Sequence, residues 1–250
     1  MVVCARNEEH YIQDCLESIL GQTVQPSLII VVADKCTDRT VETARRILRD
    51  FSYLVIEKTE NRWKNSISEN LELARGKATG GAFAIVDADM TIPRDFLERL
   101  LPQLGEYASV SALAKTDPAR GLVNRLVSFW ERTYRVTLLG QQPRGGVRVI
   151  SRQTLGKIGG FRDVIAWDSD LDNRLRKTGA KVKLDPTLTV LHRRKMTLRS
   201  SASYQIQAGK ARKELGVSLG RTLLHAIFRL RPFVVYGYLK GMKANGLQEE

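Results

Sequence analysis

The sequence is poor in the features that mark several common protein classes. Cysteine occurs three times in 250 residues, and Cys4, Cys15 and Cys36 follow no zinc-binding spacing. This favours reduced structural thiols over a disulfide or a cysteine metal site. The chain has no Gly/Ser-rich or Pro-rich linker and no internal repeat, and its 43% hydrophobic and 27% charged residues are ordinary for a globular protein.

Two phosphate-binding signatures are also missing. Neither G-x-G-x-x-G nor G-x-x-x-x-G-K-[ST] occurs, which excludes the usual phosphate cradles of dinucleotide-binding folds and P-loop hydrolases. The first residues have neither a basic lead nor an apolar stretch long enough for a signal peptide. We therefore expect a cytoplasmic protein. Any phosphate group that it binds must be held by a different structural motif.

Positive charge is concentrated at one end of the chain. The formal net charge is +13, and residues 192–243 carry twelve Lys and Arg against one acid, Glu214. Such a segment indicates a polyanionic partner, either lipid headgroups and phosphates or nucleic acid. Against the nucleic-acid alternative, the chain has no zinc finger or RNP signature, and its strand-end acids would repel a phosphate backbone.

Apolar runs alternate with helical periodicity over the first half of the sequence. The runs at 28–33, 53–56 and 82–86 predict buried strands, and the spacing of apolar residues between them predicts helices. This alternation predicts an α/β fold with a Rossmann-like, mostly parallel central sheet flanked by helices. Ligands of such sheets bind beyond the carboxyl ends of the strands.

Carboxylates follow two of these predicted strands. Asp34 ends one run, and Asp87 and Asp89 form an Asp-x-Asp motif after another. At least one acid of that motif can coordinate a hard divalent cation that also binds diphosphate oxygens. The alternative is that these acids cap turns, which is the commoner role of an isolated Asp-x-Asp.

Several motifs in a fixed order give the chain a resemblance to a known family. They are residues 5–9 (ARNEE), 31–40 (VVADKCTDRT), 69–76 (ENLELARG), 87–89 (DAD), 159–161 (GGF) and 167–179 (WDSDLDNRLRKTG). Over residues 1 to about 192 the sequence resembles the family 2 glycosyltransferases. The resemblance implies the GT-A fold and an inverting, metal-dependent reaction with a nucleotide-sugar donor.

The resemblance also implies roles for the matching acids. Asp34 matches the acid that meets the nucleobase, and Asp87 matches a position near the ribose or a metal-bound water. Asp89 matches the ligand of the divalent cation, Mn²⁺ or Mg²⁺. The backbone near Ala5 and Glu8 corresponds to the rest of the nucleotide cleft.

Four residues at the end of the predicted last strand are further candidates. His192 matches a position that supplies a third metal ligand in some relatives, with a structural histidine as the equal alternative. Arg193, Arg194 and Lys195 follow it and are candidates for neutralising the diphosphate. A solvated run of charges is the alternative.

Asp168 matches the catalytic base of the family. The resemblance implies that it accepts the proton of the acceptor hydroxyl while that oxygen attacks the anomeric carbon opposite the leaving group, which inverts the anomeric centre. Taken alone, Asp168 is more typical of a helix cap. The role as base requires a hydroxyl acceptor, because a phosphate acceptor is already anionic.

The sequence departs from the family pattern in three respects. Trp167 stands where Glu is frequent, which leaves the base intact and makes Trp167 a candidate acceptor contact. Ala33 replaces an acid that often precedes Asp34, so the nucleobase stays open. The Gln-x-x-Arg-Trp signature of processive members is absent, which favours single addition over polymer synthesis.

An apolar stripe interleaved with arginines occupies residues 122–138. It has two interpretations, a surface for a lipid or sugar acceptor and core packing, of which core packing is the commoner. Gly145 and Gly146 beyond it suit either a close approach of backbone to acceptor or a simple loop. The stripe consists of Leu122, Leu126, Phe129, Trp130, Tyr134 and Leu138.

The carboxyl-terminal segment is apolar but interrupted by charges. Between residues 219 and 239, arginines and Pro232 break the run, so it should not span a bilayer. Leu223, Leu224, Ile227 and Phe228 share one helical face, as in a helix that lies among lipid headgroups. We expect contact with the inner face of the cell membrane, with packing on the catalytic domain or a dimer interface as alternatives.

Together these patterns predict a GT-A catalytic domain over 1–195, followed by a basic amphipathic helical segment over 196–250. Within the domain, 1–110 would bind the nucleotide sugar and 111–195 the acceptor. The expected partners are a nucleotide-sugar donor, a glycan or lipid-linked acceptor of cell-surface glycan or glycolipid synthesis, and a membrane surface, without nucleic acid. A sugar-nucleotide nucleotidyltransferase is an alternative, but its glycine-rich, Arg/Lys-containing amino-terminal signature is missing.

Overall fold

The computed structural model describes residues 1–132 and 146–245. Within these residues, eight strands form one sheet in the order β3-β2-β1-β4-β7-β6-β8-β5. The strands are β1 (Val2–Ala5), β2 (Ile29–Asp34), β3 (Tyr53–Lys58), β4 (Ala82–Val86), β5 (Met90–Thr91), β6 (Ser109–Thr116), β7 (Val147–Ser151) and β8 (Val182–His192). The helices are α1 (Ile12–Leu20), α2 (Thr40–Leu48), α3 (Ser66–Lys77), α4 (Phe96–Leu100), α5 (Leu122–Arg132), α6 (Arg152–Lys157), α7 (Trp167–Lys177), α8 (Leu198–Glu214), α9 (Leu219–Phe228) and α10 (Pro232–Asn245).

The direction of the strands sets where a ligand can bind. β1, β2, β3 and β4 are parallel, as the alternation of strands and helices predicts. β7 runs antiparallel to both β4 and β6, and β8 is parallel to β6. The carboxyl ends of β1, β2, β4, β6 and β8 therefore share one edge of the sheet. The predicted α/β class with a mostly parallel sheet is confirmed.

Helices bury both faces of the sheet. Successive residues of a strand point to opposite faces, and β2 is buried along its whole length. Val31 faces a core that includes Leu16 of α1 and Leu48 of α2. Val32 faces a second core that includes Leu171 of α7. The chain order of strand and helix thus builds a three-layer domain whose open edge carries the predicted acids.

The last three helices pack as a unit in which glycines are required. A Cβ built on Gly209 of α8 or on Gly237 of α10 would overlap the backbone of the opposite helix, so only glycine permits this close crossing. Leu230, with φ 48°, turns the chain between α9 and α10, and Pro232 begins α10, where a missing N–H costs nothing.

The carboxyl-terminal helices are attached to the catalytic part of the chain. Glu214, at the end of α8, accepts hydrogen bonds from the backbone N–H groups of Ile165 at 2.7 Å and Ala166 at 3.4 Å. These two residues directly precede α7. Across residues 1–132 and 146–245, no helix has both the length and the apolar composition needed to cross a bilayer.

Candidate active site at the carboxyl edge of the sheet

The turn after β1 brings Glu8 to the open edge of the sheet. Asn7 has φ 55°, a left-handed conformation that asparagine tolerates better than most residues. Its Oδ1 accepts a hydrogen bond from Thr37 N at 2.8 Å, which ties this turn to the turn after β2. Ala5, predicted in the nucleotide cleft, is buried at the end of β1. Glu8 and Ala5 therefore lie beside the end of β2.

Asp34 ends β2 in a charged pocket. Its Oδ1 is 3.4 Å from Lys58 Nζ, which also lies 3.1 Å from Glu69 Oε2, and its Oδ2 accepts a hydrogen bond from Ser66 Oγ. Burial favours a higher pKa for Asp34, but the Ser66 hydrogen bond and the Lys58 charge outweigh it and lower the pKa. Asp34, which is 3% exposed, is thus held as an anion at the end of β2.

Two basic side chains converge on the carboxylate of Asp89. His192 Nε2 lies 3.2 Å from Asp89 Oδ2, and Arg194 Nε donates to the same oxygen at 2.6 Å. Another nitrogen of the Arg194 guanidinium binds Glu8 Oε1. The pairing of β5 with β8, which sets Met90 opposite His192, brings these distant parts of the sequence together.

The charges of this cluster shift the pKa of each member. Burial would raise the pKa of Asp89, but His192 and Arg194 outweigh it and lower the pKa. Burial would lower the pKa of His192, but Asp89 outweighs it and raises the pKa. Burial raises the pKa of Glu8 against the opposing charge of Arg194. Asp89, which is 6% exposed, is therefore held as an anion.

Asp87 lies against the first residue described before β7. Its N–H donates to Gly146 O at 2.8 Å, and a Cβ built on Gly146 would overlap the Asp87 carboxylate. Burial, followed by the charge of Asp89, raises the pKa of Asp87 to about 7. The charge of Asp168 acts on the pKa of Asp87 in the same direction. Gly145 lies outside the described residues.

Asp168 and Trp167 begin α7 but have different surroundings. Asp168 is half-buried, and its Oδ1 accepts a hydrogen bond from Ser169 N at 2.8 Å. The Trp167 side chain, a candidate acceptor contact from the sequence, is 8% exposed. Its ring packs edge-on against Phe161, with 5.7 Å between ring centres. Trp167 thus belongs to the core beneath α7.

A buried ion pair that we did not predict supports α7. Arg148 of β7 is fully buried, and its Nη1 lies 2.8 Å from Asp172 Oδ1. The guanidinium carbon of Arg148 is 5.7 Å from the Trp167 ring centre. Asp172 lies one helical turn after Asp168. The pair therefore joins the strand beside Asp87 to the helix that carries Asp168.

Residues 1–165 match the sequence profile described as Glycosyl transferase family 2. The chain belongs to glycosyltransferase family 2. It is 23% identical over 192 residues to the beta-monoglucosyldiacylglycerol synthase of Synechocystis sp., an alignment that covers 70% of this chain and 39% of that protein. The glycosyltransferase chain described here thus spans well under half the length of this curated relative.

Solved structures share the fold of this glycosyltransferase. The mannosyltransferase PcManGT from Pyrobaculum calidifontis, in complex with GDP-Man and Mn²⁺, superposes with a TM-score of 0.67 at 22% identity, covering 100% of this chain and 75% of its own. The glucosyl-3-phosphoglycerate synthase from Mycobacterium tuberculosis, in complex with Mn²⁺, UDP and phosphoglyceric acid, gives 0.59 at 20% identity, covering 83% and 75%. These matches confirm the GT-A fold.

The residues around Asp89 fit a divalent cation that shares its ligands with a diphosphate. A carboxylate and an imidazole 3.2 Å apart are donors that suit Mn²⁺, and the carboxylate also suits Mg²⁺. In the part of the chain that the structure describes, no three His, Cys, Asp or Glu side chains form a metal-binding group. Phosphate oxygens would therefore have to complete the coordination shell, as is usual for cations at diphosphate sites.

Arg193 is paired with a different acid from its neighbour Arg194. Its Nη1 is 2.8 Å from Asp117 Oδ2, and its Nε is 3.0 Å from Thr91 Oγ1. The backbone N–H of Arg193 donates to Asp89 O at 2.7 Å. Arg193 therefore braces the edge strands next to the cluster, while Arg194 enters the cluster itself.

Tyr204 of α8, which the sequence analysis did not consider, is affected by the charges of the cluster. Burial raises the pKa of Tyr204, and the charges of Arg194, Asp89, Asp87 and Glu8 also act on it. Its hydroxyl is therefore within electrostatic range of the donor acids. No local motif marks this tyrosine, because the charges that act on it come from distant parts of the sequence.

The apolar stripe of α5 is exposed where the structure describes it. Leu122, Leu126 and Phe129 are 75%, 67% and 69% exposed, so these three side chains do not belong to the core. Tyr134 and Leu138 lie outside the described residues, as does the side chain of Trp130. The prediction of an acceptor surface here stays a prediction.

Proposed function

We propose that this glycosyltransferase moves a sugar, with inversion, from a nucleoside-diphosphate donor to a glycan or lipid-linked hydroxyl at a membrane surface. The observation that carries the proposal is that β2 ends at Asp34 and β8 ends at His192 on the same edge of the sheet, where His192 contacts Asp89. The GDP-Man bound by PcManGT and the UDP bound by the mycobacterial synthase support a donor of this class.

The nucleoside would bind at the ends of β1 and β2. Burial would raise the pKa of Asp34, but Ser66 and Lys58 lower it, so the carboxylate is ionised and would accept a hydrogen bond from an N–H group of a base. Glu8 and the backbone at Ala5 would line the same cleft. The fixed Lys58 beneath Asp34 means that binding the base requires little reorganisation of charge.

The diphosphate would bind between Asp89 and the basic residues after β8. Asp89 and His192 would hold a divalent cation, Mn²⁺ or Mg²⁺, whose chemistry is electrostatic stabilisation of the departing nucleoside diphosphate. Arg194 adds a guanidinium whose planar geometry matches two phosphate oxygens. Arg193 would keep the edge strands in place through Asp117.

Asp168 would act as the base for the acceptor hydroxyl. The Ser169 N–H orients one of its oxygens, and the Arg148–Asp172 pair holds the helix turn beneath it. Deprotonation of the acceptor as its oxygen attacks opposite the diphosphate would invert the anomeric centre. We assign 1–110, together with His192 and Arg194, to donor binding, the rest of 111–195 to the base and acceptor face, and 196–250 to attachment.

The exchange Asp168→Asn tests the role as base. The transfer rate into a lipid or glycan extract should fall about 10²- to 10⁴-fold, while donor affinity stays within about twofold, because Asp168 has no role in donor binding. Asp170→Asn is the matched control, since Asp170 is paired with Arg174 at 2.7 Å. An unchanged rate in Asp168→Asn would mean that the acceptor oxygen is already anionic, as in a phosphate, and would overturn the hydroxyl assignment.

We further propose that α9 rests on an anionic membrane surface. Leu223, Leu224, Ile227 and Phe228 are all exposed, and Arg221 is exposed beside them, a combination that suits the headgroup region. The relative named as a beta-monoglucosyldiacylglycerol synthase supports a lipid environment. By contrast, Arg229 and Tyr238 are buried, and the Tyr238 hydroxyl donates to Val217 O at 2.8 Å, so neither side chain belongs to this surface.

Vesicle sedimentation tests the membrane proposal. The protein should bind vesicles of phosphatidylglycerol but not of phosphatidylcholine, and the double variant Ile227→Asp, Phe228→Asp should lose that binding. Phe51→Asp is the control, because Phe51 is also exposed but lies in the turn before β3, far from α9 in the sequence. Unchanged vesicle binding in the double variant, with a shift from dimer to monomer in ultracentrifugation, would instead make α9 a dimer interface.

A further inference from the structure

The Arg194 guanidinium occupies the position between two acids of the donor site. Its Nε is 2.6 Å from Asp89 Oδ2, and another of its nitrogens binds Glu8 Oε1. Its central carbon lies 5.4 Å from the ring centre of Tyr11, a cation–π distance. These contacts hold one positive charge at the point where the donor acids converge.

The backbone of Arg194 is fixed by a separate set of contacts. Asn124 of α5 is fully buried, and its Nδ2 donates to Arg194 O at 3.0 Å while its Oδ1 accepts from Met196 N at 2.7 Å. The guanidinium can therefore change partners by side-chain rotation alone, because the Cα atom stays anchored at the mouth of the cleft.

A metal bound at Asp89 would compete with this guanidinium. Arg194 and His192 approach the same atom, Asp89 Oδ2, so a cation held by Asp89 and His192 would lie close to the positive charge of Arg194. Like charges at such short distances repel strongly in a half-buried cleft. A dication that binds without a nucleotide must therefore displace Arg194, or it binds more weakly because of this repulsion.

A bound diphosphate would offset the repulsion between the metal and Arg194. Its oxygens accept two parallel hydrogen bonds from a guanidinium and also coordinate a dication. When metal and diphosphate are both present, Arg194 can leave the acids for the phosphate without losing an anionic partner. The favourable arrangement thus requires both ligands together.

We propose that Arg194 is a built-in counter-cation, which neutralises Glu8 and Asp89 in the free enzyme and transfers its guanidinium to the diphosphate when metal and nucleotide bind together. The inference rests on the proposed donor site. It makes Arg194 a residue that couples the two ligands: metal alone binds weakly, and nucleotide and metal strengthen each other.

Titration with Mn²⁺, followed by the electron paramagnetic resonance signal of the free ion, tests the coupling without any assay of activity. In the absence of nucleotide, Arg194→Gln should bind Mn²⁺ about tenfold more tightly than the native protein, within the usual range of coupling between two ligands. In the presence of UDP or GDP, whichever binds, the sign should reverse, and Arg194→Gln should bind the Mn²⁺–nucleotide complex about tenfold more weakly.

Arg120→Gln is the matched control. It removes the same charge from a side chain that is also paired with an acid, Asp117, but has no contact with Glu8 or Asp89 among the described contacts, so its affinity for Mn²⁺ alone should stay within about twofold of native. If Arg194→Gln melts far below the native protein, Arg194→Lys replaces it. Its shorter side chain is expected to contact one acid instead of two, and it should show the same signs with smaller changes.

Two failures are distinguishable. Unchanged or weaker binding of Mn²⁺ alone by Arg194→Gln would make the Arg194 contacts a fixed structural pair and overturn the inference. Failure of the native protein to bind any nucleoside diphosphate with Mn²⁺ would overturn the proposed function, while the comparison with Mn²⁺ alone would still decide whether Arg194 competes for Asp89.

Discussion

Arg148 and Asp172 form an ion pair inside the protein, with 2.8 Å between Nη1 and Oδ1. Arg148 is fully buried and Asp172 nearly so, and burial raises the pKa of Asp172 despite the opposing charge of Arg148. The pair connects β7, which starts beside Asp87, to the helix turn below Asp168. Its integrity therefore affects both sides of the site.

Removing one partner of this pair should destabilise the fold. Arg148→Met leaves the Asp172 carboxylate buried without its cation, which costs about 3–5 kcal/mol. Urea unfolding measures the loss. Arg152→Met is the control, because Arg152 is exposed and its side chain donates to Thr79 O at 3.2 Å, and it should change stability by less than about 0.5 kcal/mol. Equal losses in both variants would contradict the structural role.

Gly146→Ala should weaken the donor site. The new Cβ would overlap the Asp87 carboxylate, which must then move within the cleft. We expect the Mn²⁺–nucleotide complex to bind about tenfold more weakly, equivalent to about 1.4 kcal/mol, as measured by calorimetry. Gly81→Ala is the control, since a Cβ there meets no atom within 4 Å. Native affinity in Gly146→Ala would show that Asp87 takes no part in binding.

The contact between Glu214 and the residues before α7 can be measured directly. Glu214→Ala removes the carboxylate that accepts from Ile165 and Ala166 N–H, so these two amides should exchange with deuterium about tenfold faster, equivalent to about 1.4 kcal/mol. Lys213→Ala, one residue earlier on α8, should leave their exchange unchanged. Slow exchange in Glu214→Ala would mean that α8 does not hold this segment.

His225 should make the protein less stable in mild acid. Burial, followed by the charges of Arg212, Arg231 and Arg229, lowers the pKa of His225 to about 4. Below about pH 6.5, His225 therefore binds a proton in the unfolded chain but not in the folded protein. Stability is fully present above that pH and is lost as the pH falls towards 4. The melting temperature of His225→Gln should fall less steeply over this range, and parallel curves would contradict the assignment.

The strand-end acids were predictable because their signal is local. Asp34 and Asp89 each follow an apolar run that can only be a buried strand, and parallel strands bring their carboxyl ends to one edge. The same reasoning predicted the position of Asp168 at the start of a helix. Each inference depends only on residues nearby in the sequence.

The partners of these acids were not predictable, because they come from distant parts of the chain. Arg194 and Glu8 are 186 residues apart, and they meet only because β8 lies in the same sheet as β1. From the sequence, Lys58 is only a lysine at the end of a strand. Its contact with Asp34 arises because β3 pairs with β2. Trp167 was predicted to contact the acceptor because it is next to Asp168. Side chains of adjacent helical residues point in different directions, however, and the Trp167 ring packs in the core.

A binding panel tests the donor site most directly. UDP, GDP, CDP and dTDP sugars are each added with and without Mn²⁺ to the native protein, to Asp89→Ala and to the control Asp95→Ala, a partly exposed acid near Arg99. We expect one nucleotide class to raise the melting temperature when Mn²⁺ is present, and this effect should vanish in Asp89→Ala but persist in Asp95→Ala. Stabilisation by none of the sugars would contradict the donor site and return attention to the basic carboxyl-terminal segment as a nucleic-acid-binding surface.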